Sequence, residues 1–528
     1  MTRSDPDTPD SGTDKTPKVP GLLRSSGVVS AMTMLSRILG LVRDMVIARY
    51  FGAGTGADAF FVAFKIPNFL RRLFGEGGFF QAFVPVLSEY REKDSLSEVR
   101  GLVNAVAGTL GVVLLGVTLI AMVGSPALTA LFAPGFMDEP EKFALASDML
   151  RITFPYLLFI SLTAFAGAIL NSYDRFAVPA FTPVLLNLSM IGAAIFLSPL
   201  MQSPVMALAW GVVIAGALQL FFQLPFLMRL GLLPRPKVDY RHEGVRRILR
   251  LMVPTLFAVS VSQINLLLDT VLASFLETGS VSWLYYSDRL SELPLGVFGV
   301  GIGIVILPNL SRKHAADDPR AFAATMDWAV RMIFLVGLPA AVALSILAEP
   351  VIATLFHYGA VTDRDVLMSA QSLRAYAAGL VAFMLIKVLA PGFFSRQDTK
   401  TPMKIAMIAM ASNMVFNLIL VFPLAHAGLA LATALSAWLN TALLWRGLRR
   451  EGAWQAQPGW VRFALQVTAA NGVMAGLIVW LAGPVSGWLE ATGIQKAQEM
   501  VVLVGVGVVA YFAVLLLTGV RVRHFRIQ

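Results

Sequence analysis

SAMTMLSRILGLVRDMVIARYFG, Ser30 to Gly52, reads as an apolar helix of membrane length that nonetheless carries Arg37, Arg43, Asp44 and Arg49. A spanning helix needs about 20 mainly apolar residues. An arginine or aspartate at its centre costs about 2.5–3.5 kcal/mol on insertion scales, so it faces a wet cavity or another charge. The bland alternative is snorkelling from near a helix end, which suits Arg49 but not Arg37. At about 100° per residue, Arg37 and Asp44 share nearly one face, and Ser36 and Arg43 form a similar pair. The stripe reads as a hydrated wall.

The whole chain repeats this theme. Its 528 residues are 57% hydrophobic and 14% charged, with mean hydropathy +0.71, whereas a soluble domain carries about 25% charged residues. By the 20-residue rule about fourteen helices can span. Their centres lie near Met34, Phe69, Val112, Leu157, Leu188, Gly216, Ser260, Gly299, Leu335, Gly379, Met410, Ala434, Met474 and Val508. The expected fold is an all-α polytopic membrane protein. Residues 1–20 are polar and Pro-rich and read as a disordered cytoplasmic tail, without the apolar core of a signal peptide. With no cysteine in the sequence, disulfides, thiol catalysis and Cys-zinc sites are excluded. The five histidines have no metal-ligand spacing.

The net charge of +10 belongs to topology rather than to nucleic-acid binding. With a cytoplasmic N-terminus, one set of alternate loops collects the cations, among them Arg91, Lys93 and Arg100, the Arg229–Arg250 group, Arg312 and Lys313, and Arg446 to Arg450. The opposite loops hold only Lys142, Arg364 and Lys496. This obeys the positive-inside rule and predicts an even helix number with both termini cytoplasmic. A loose internal duplication pairs ARYFGAGTGADAFFVAFKIPN (48–68) with ASFLETGSVSWLYYSDRLSELP (273–294), and ILNSYDRFAVPAFTP (169–183) with FFSRQDTKTP (393–402). A parallel repeat of six helices each divides the chain into lobes at 21–230 and 231–452, with two added helices at 453–528.

Three helices carry the remaining intramembrane charge. The second places Asp58 at its start, where a carboxylate also suits the helix dipole. Lys65, Arg71, Arg72 and Glu76 follow inside the span, with Pro67 and GEGG (75–78) as breaks. The eighth brings Asp288, Arg289 and Glu292 onto one face ahead of Pro294 and a run of glycines. This excess of arginine implies an anionic substrate, because a guanidinium fork donates paired hydrogen bonds to phosphate and stays charged. Several together suit a pyrophosphate. In the C-terminal half, Asp269, Asn413, Asn417 and Thr433 form an oxygen-rich set that suits Na⁺ or a proton. Interhelical hydrogen bonding accounts for such residues equally well. No paired carboxylates suited to Mg²⁺ lie inside a span, which argues against an enzyme acting on polyprenyl phosphates.

The blocks SSGVVSAMTMLSRILGLVRDMVIARYFGAG (25–54), DAFFVAFKIPNFLRRLFGEG (58–77), QAFVPVLSEY (81–90), GSVSWLYYSDRLSELPLGVFGV (279–300) and VLAPGFFSRQDTKTPMKIA (388–406), in that order, resemble the MurJ (MviN) family of lipid II flippases. That family lies within the multidrug/oligosaccharidyl-lipid/polysaccharide exporter superfamily. The resemblance implies fourteen helices, with two six-helix lobes about a cationic cavity and a last helix pair forming a groove for the lipid tail. It implies movement of undecaprenyl-pyrophosphate-linked disaccharide-pentapeptide, lipid II, from the cytoplasmic to the periplasmic leaflet of the bacterial inner membrane. The expected partners are lipid II, membrane lipids and proteins of peptidoglycan synthesis and division, with no nucleic acid and no catalytic residue. The substrate-binding set it implies is Arg37, Arg43, Arg71 and Arg289, with Ser36, Asp58, Arg72 and Glu292. Some members hold sodium on helices seven, eleven and twelve, which here points to Asp269, Asn413, Asn417 and Thr433, with Na⁺ or H⁺ as coupling ion and no other cofactor. A flippase for another polyprenyl-linked oligosaccharide is the alternative within the superfamily.

Overall fold

The computed structural model describes the backbone of residues 20–71, 79–93 and 95–520, and their side chains except at 20–26, 254–266, 300 and 304. The polar tail up to residue 19, Arg72 and the Gly75–Gly78 break lie outside the described residues. Every regular element among them is helical. The N-terminal helices are α1 (Pro20–Phe51), α2 (Thr55–Arg71), α3 (Phe79–Lys93), α4 (Leu96–Val123), α5 (Ser125–Phe132), α6 (Pro140–Thr153), α7 (Pro155–Ser172), α8 (Ala177–Gly192) and α9 (Met206–Arg229). There follow α10 (Glu243–Ser274), α11 (Ser280–Pro294), α12 (Val300–Ala315), α13 (Pro319–Ile346), α14 (Ala348–Phe356), α15 (Asp363–Phe394), α16 (Lys400–Arg450), α17 (Trp460–Ala482), α18 (Val485–Glu490) and α19 (Gly493–Leu517). Among the described residues, 10 helices are long and apolar enough to cross a membrane. All fourteen expected centres fall in helical backbone.

Local chemistry explains the breaks. At α16, Ala425 adopts φ 47°, two residues past Pro423, so the element is two helices meeting at a sharp corner. Pro294 ends α11 and has no amide hydrogen to donate. The next five residues, Leu295–Gly299, wind as a π-helix before α12 resumes, and such bulges concentrate at functional sites. Capping boxes start α4 at Ser95 and Glu98 and α15 at Thr362 and Asp365, satisfying amides that a helix start leaves bare.

Three cores organise the packing. One lies in the N-terminal half, around Phe83, Leu102, Phe165 and Leu227, and takes in Val245 and Ile248 from the first turns of α10. Another lies wholly within the C-terminal half and its following segment, around Ile306, Met326, Leu385 and Leu448. The third joins the halves, with Ile47, Phe60, Phe136 and Leu157 packed in one cluster with Tyr286, Ile352, Phe356 and Val366. The halves therefore share a core at the end that carries the 52–54, 133–139, 275–279 and 357–362 loops, and at the other keep separate cores except where the start of α10 packs on the N-terminal half. Backbones meet closely at the shared end. Ala360 N donates to Arg49 O at 2.9 Å. Gly359 has φ +63°, and a Cβ there would sit 2.3 Å from that same oxygen, so only glycine allows the approach. The last helices dock on α13, where Tyr511 Oη donates to Leu335 O at 2.6 Å and Trp460 Nε1 donates to Asp327 Oδ1 at 2.7 Å.

Candidate functional site

The charges of α1 meet those of α11 at the junction of the halves. Arg43 is buried and donates four hydrogen bonds. Its Nε and Nη2 donate to Asp44 Oδ1 at 2.9 and 2.7 Å, its Nη1 to Asn187 Oδ1 at 3.1 Å, and its Nη2 to Tyr285 Oη at 3.0 Å. Tyr285 donates to Asp44 Oδ1 at 3.0 Å, and Asn187 Nδ2 donates to Ser36 O at 2.9 Å. Arg289 completes the cluster. It pairs with Asp44 Oδ2 at 3.5 Å and Glu292 Oε2 at 3.0 Å, and its guanidinium lies 4.9 Å from the Tyr285 ring centre. Its side chain keeps 37% of its exposure, against 8% for Arg43. Arg289 is thus oriented by two carboxylates and an aromatic face while still presented to solvent. Arg43 is positioned behind it as part of the wall.

Arg289 faces a solvent-open cavity between the halves, whose walls also include Lys65, Asn68, Asp269, Asp288 and Glu292. Of the expected substrate set, Arg289 and Glu292 line this cavity. Ser36 enters through its backbone carbonyl, as the acceptor of Asn187. Arg37 is exposed and lies against the π-helix, its Nη1 occupying the space where a Cβ on Gly296 would be, 1.6 Å away. Arg71 donates Nε to Asn68 Oδ1 at 3.0 Å and lines a second cavity inside the N-terminal half.

Asp58 stands elsewhere, in the shared core. Its Oδ2 accepts from Gly279 N at 2.7 Å, and its Oδ1 accepts from Ser282 N at 2.9 Å and Ser282 Oγ at 2.6 Å. It is 1% exposed, as is Lys142, whose Nζ is 3.3 Å away. Thr278 Oγ1 and Glu139 hold Lys142 from its other side. The carboxylate therefore caps α11, 221 residues away in sequence, and fastens the halves together. Asp58 does stand in the first turn of α2, where the dipole reading put it, and its carboxylate also caps α11, which that reading did not foresee.

The oxygen-rich set does assemble. Asn417 Nδ2 donates to Asp269 Oδ1 at 2.7 Å and to Asn413 Oδ1 at 3.1 Å, and Asn413 Nδ2 reaches Thr433 Oγ1 at 3.5 Å. Asn417 Oδ1 is buried without a donor, a leftover acceptor that a cation or proton donor would satisfy. Among the described residues, no group of three or more His, Cys, Asp or Glu side chains could hold a metal ion, so the donors here are one carboxylate and neutral oxygens, which suit a hard monovalent cation.

Sequence reasoning missed Asn187, Tyr285 and Lys142 as members of these clusters. An asparagine inside the apolar α8 was a signal for an interhelical hydrogen bond. Lys142 stood out only as a cation on the wrong side of the charge count.

Residues 47–492 match the family model for the lipid II flippase MurJ. The chain belongs to the MurJ lipid II flippase family. It is 51% identical over 512 residues to a probable lipid II flippase MurJ of Vibrio cholerae, covering 96% of this chain and 98% of that one. It is 42% identical to the lipid II flippase MurJ of Burkholderia cenocepacia, covering 96% and 99%. A solved MurJ flippase structure in an inward closed conformation superposes with TM-score 0.76 at 25% identity, over 92% of this chain and 97% of that one. An inward-facing MATE transporter of the MOP superfamily shares the fold, with TM-score 0.65 at 15% identity over 81% and 98%. Membership of this transporter family and the apolar helices make the chain a multi-pass protein of the bacterial inner membrane.

Proposed function

We propose that this chain carries lipid II from the cytoplasmic to the periplasmic leaflet by alternating access, without chemistry on the lipid. The single observation that carries the reading is Arg289, a half-buried arginine held by Asp44, Glu292 and Tyr285 at the wall of a cavity between two halves. Such a fork recognises the pyrophosphate, while the polyprenyl tail stays in lipid. Lys65 on the facing wall adds to the positive potential, and Arg37 and Arg71 flank it.

On this reading the chain crosses fourteen times with both termini cytoplasmic. The α16 element counts as two crossings, and α2 with α3, α6 with α7 and α11 with α12 as one each. Residues 21–230 and 231–452 are the moving lobes, and 453–528 supply a groove for the tail. The shared core with the Asp58 latch is then the periplasmic side, closed, and the separated cores are the cytoplasmic side. Transport breaks the latch and forms new contacts opposite, with the π-helix at 295–299 as a hinge. Na⁺ or H⁺ at Asp269, Asn413, Asn417 and Thr433 biases that exchange. Membrane potential also favours export of an anion, by about 2.3 kcal/mol per charge per 100 mV. Surrounding lipids and peptidoglycan synthesis and division proteins are its expected neighbours.

The test is translocation of lipid II by the purified protein in liposomes. Arg289→Ala is expected to insert and fold yet lose transport. Transport at the parental rate would remove Arg289 from the substrate site.

A further inference from the structure

The N-terminal half holds a solvent-open cavity of its own between α7, α8 and α9 and the end of α2. Its wall includes Arg71, Thr163, Asn171, Gln219 and Gln223. Gln219 is 2% and Gln223 1% exposed. Both commit their amide hydrogens to α8: Gln219 Nε2 donates to Thr182 O at 3.0 Å, and Gln223 Nε2 donates to Thr182 Oγ1 at 2.9 Å. Both leave a buried carbonyl oxygen with no donor. Turning Gln219 over would set its oxygen against the Thr182 carbonyl, and turning Gln223 over would set its oxygen against a hydroxyl that already donates to Val178 O, so neither flip supplies a donor. A buried acceptor left bare costs about 1–3 kcal/mol, and folded proteins keep few. Two side by side in an apolar helix bundle call for a ligand that brings donors.

The lining restricts what that ligand is. Among the described lining residues there is no carboxylate, so a cation has nothing to neutralise it. A hydrocarbon tail would strand the amides further. Arg71 marks the mouth: it lines this cavity, and its Nε donates to Asn68, which lines the central one. One turn of α2, from Asn68 to Arg71, therefore separates the central cavity from an acceptor-rich chamber with Arg71 at its edge and aromatic walls at Phe80 and Tyr156.

We propose that this chamber is a subsite for the uncharged, hydroxyl- and amide-rich part of the substrate's head group, its sugar or peptide portion. Arg71 takes the pyrophosphate end, and Gln219 and Gln223 accept from O–H or N–H groups. The proposal rests on the lipid II reading above and adds a discriminating element to it, since arginines alone would hold any polyprenyl pyrophosphate.

The experiment is equilibrium binding of lipid II and of undecaprenyl pyrophosphate, which has no head group, to the full chain in detergent. Gln219→Leu/Gln223→Leu is expected to weaken lipid II about tenfold or more, one lost hydrogen bond per glutamine, and to leave undecaprenyl pyrophosphate unchanged. Gly167→Ala carries the test if that pair misfolds. A Cβ there meets nothing closer than Pro179 Cβ at 3.4 Å and comes within 3.7 Å of Gln223 Oε1, so the methyl enters the chamber without a clash. It is expected to weaken lipid II about threefold, through loss of part of a hydrogen bond's worth, again sparing the headless lipid. Unchanged lipid II affinity, or equal losses for both ligands, would overturn the subsite. A parent protein that bound neither ligand would overturn the flippase reading and the subsite with it.

Discussion

Asp58→Asn should unlatch the closed end. In the parent, four donors converge on the two carboxylate oxygens, three from α11 and its cap and one from Lys142. Asparagine keeps one acceptor oxygen and sets an N–H₂ against the other pair. It loses either the two Ser282 bonds or the Gly279 bond together with the contact to Lys142, and it cancels the charge that balances a buried lysine. Removing one partner of a buried pair costs about 3–5 kcal/mol. Glu139 remains 3.4 Å from Lys142 and offsets part of this, so about 3 kcal/mol is expected, a shift of about 150-fold toward the open end. The chain has no cysteine, which makes thiol labelling a clean assay. Ser280 is 0% exposed at the start of α11, and Ser280→Cys is nearly isosteric. In that background Asp58→Asn is expected to raise the labelling rate by about two orders of magnitude. Adding Lys142→Met removes the stranded cation, so the double variant should label more slowly than the sum of the single effects requires. A labelling rate within about twofold of the parent, 0.4 kcal/mol, would refute the latch.

Other perturbations address the remaining parts. Asp44→Asn leaves Arg43 buried without its carboxylate, and is expected to destabilise the protein by about 3–5 kcal/mol and abolish transport; a parental melting temperature would contradict this. Gly296→Ala pushes Arg37 off the π-helix, since the added Cβ would overlap Arg37 Nη1, and should lower transport with little change in folding. Asp269→Asn should flatten any dependence of transport on Na⁺ or pH, and an unchanged profile would make that set purely structural. At the closed end, burial and the neighbouring Lys496 hold the His357 imidazole below its ordinary value of 6.5. The neutral ring is the folded form, so its stabilisation is complete above about pH 6.5 and declines as pH falls and the unfolded chain takes up the proton first. His357→Gln should remove that part of the slope in melting curves taken between about pH 8 and 5.

Much of this was written plainly in the chain, for reasons that differ by site. Asn413 and Asn417 lie one turn apart in an apolar helix, so their alignment was legible from period alone, and Asp269 and Thr433 joined them on chemistry. Arg289 and Glu292 were legible for the same reason. Arg43 was not. Adjacent residues on a helix do not face each other, yet Arg43 curls onto Asp44 because Tyr285 and Asn187, 242 and 144 residues away, close the cluster from two other helices. Its burial depends on tertiary placement that periodicity does not encode. Asp58 illustrates the same limit: a helix-start aspartate satisfies a local rule, and only the three-dimensional packing reveals that it caps a different helix. The glutamines of α9 carried no charge and so drew no attention, although polar groups in an apolar span are expensive whatever their charge.

The central claim, that the chain exports lipid II, is tested most directly by depleting the protein in cells and asking in which leaflet lipid II gathers. Lipid II is expected to continue to be made and to accumulate in the cytoplasmic leaflet, out of reach of periplasmic probes. Lipid II still reaching the periplasmic leaflet at the normal rate, or a failure to make it at all, would contradict it.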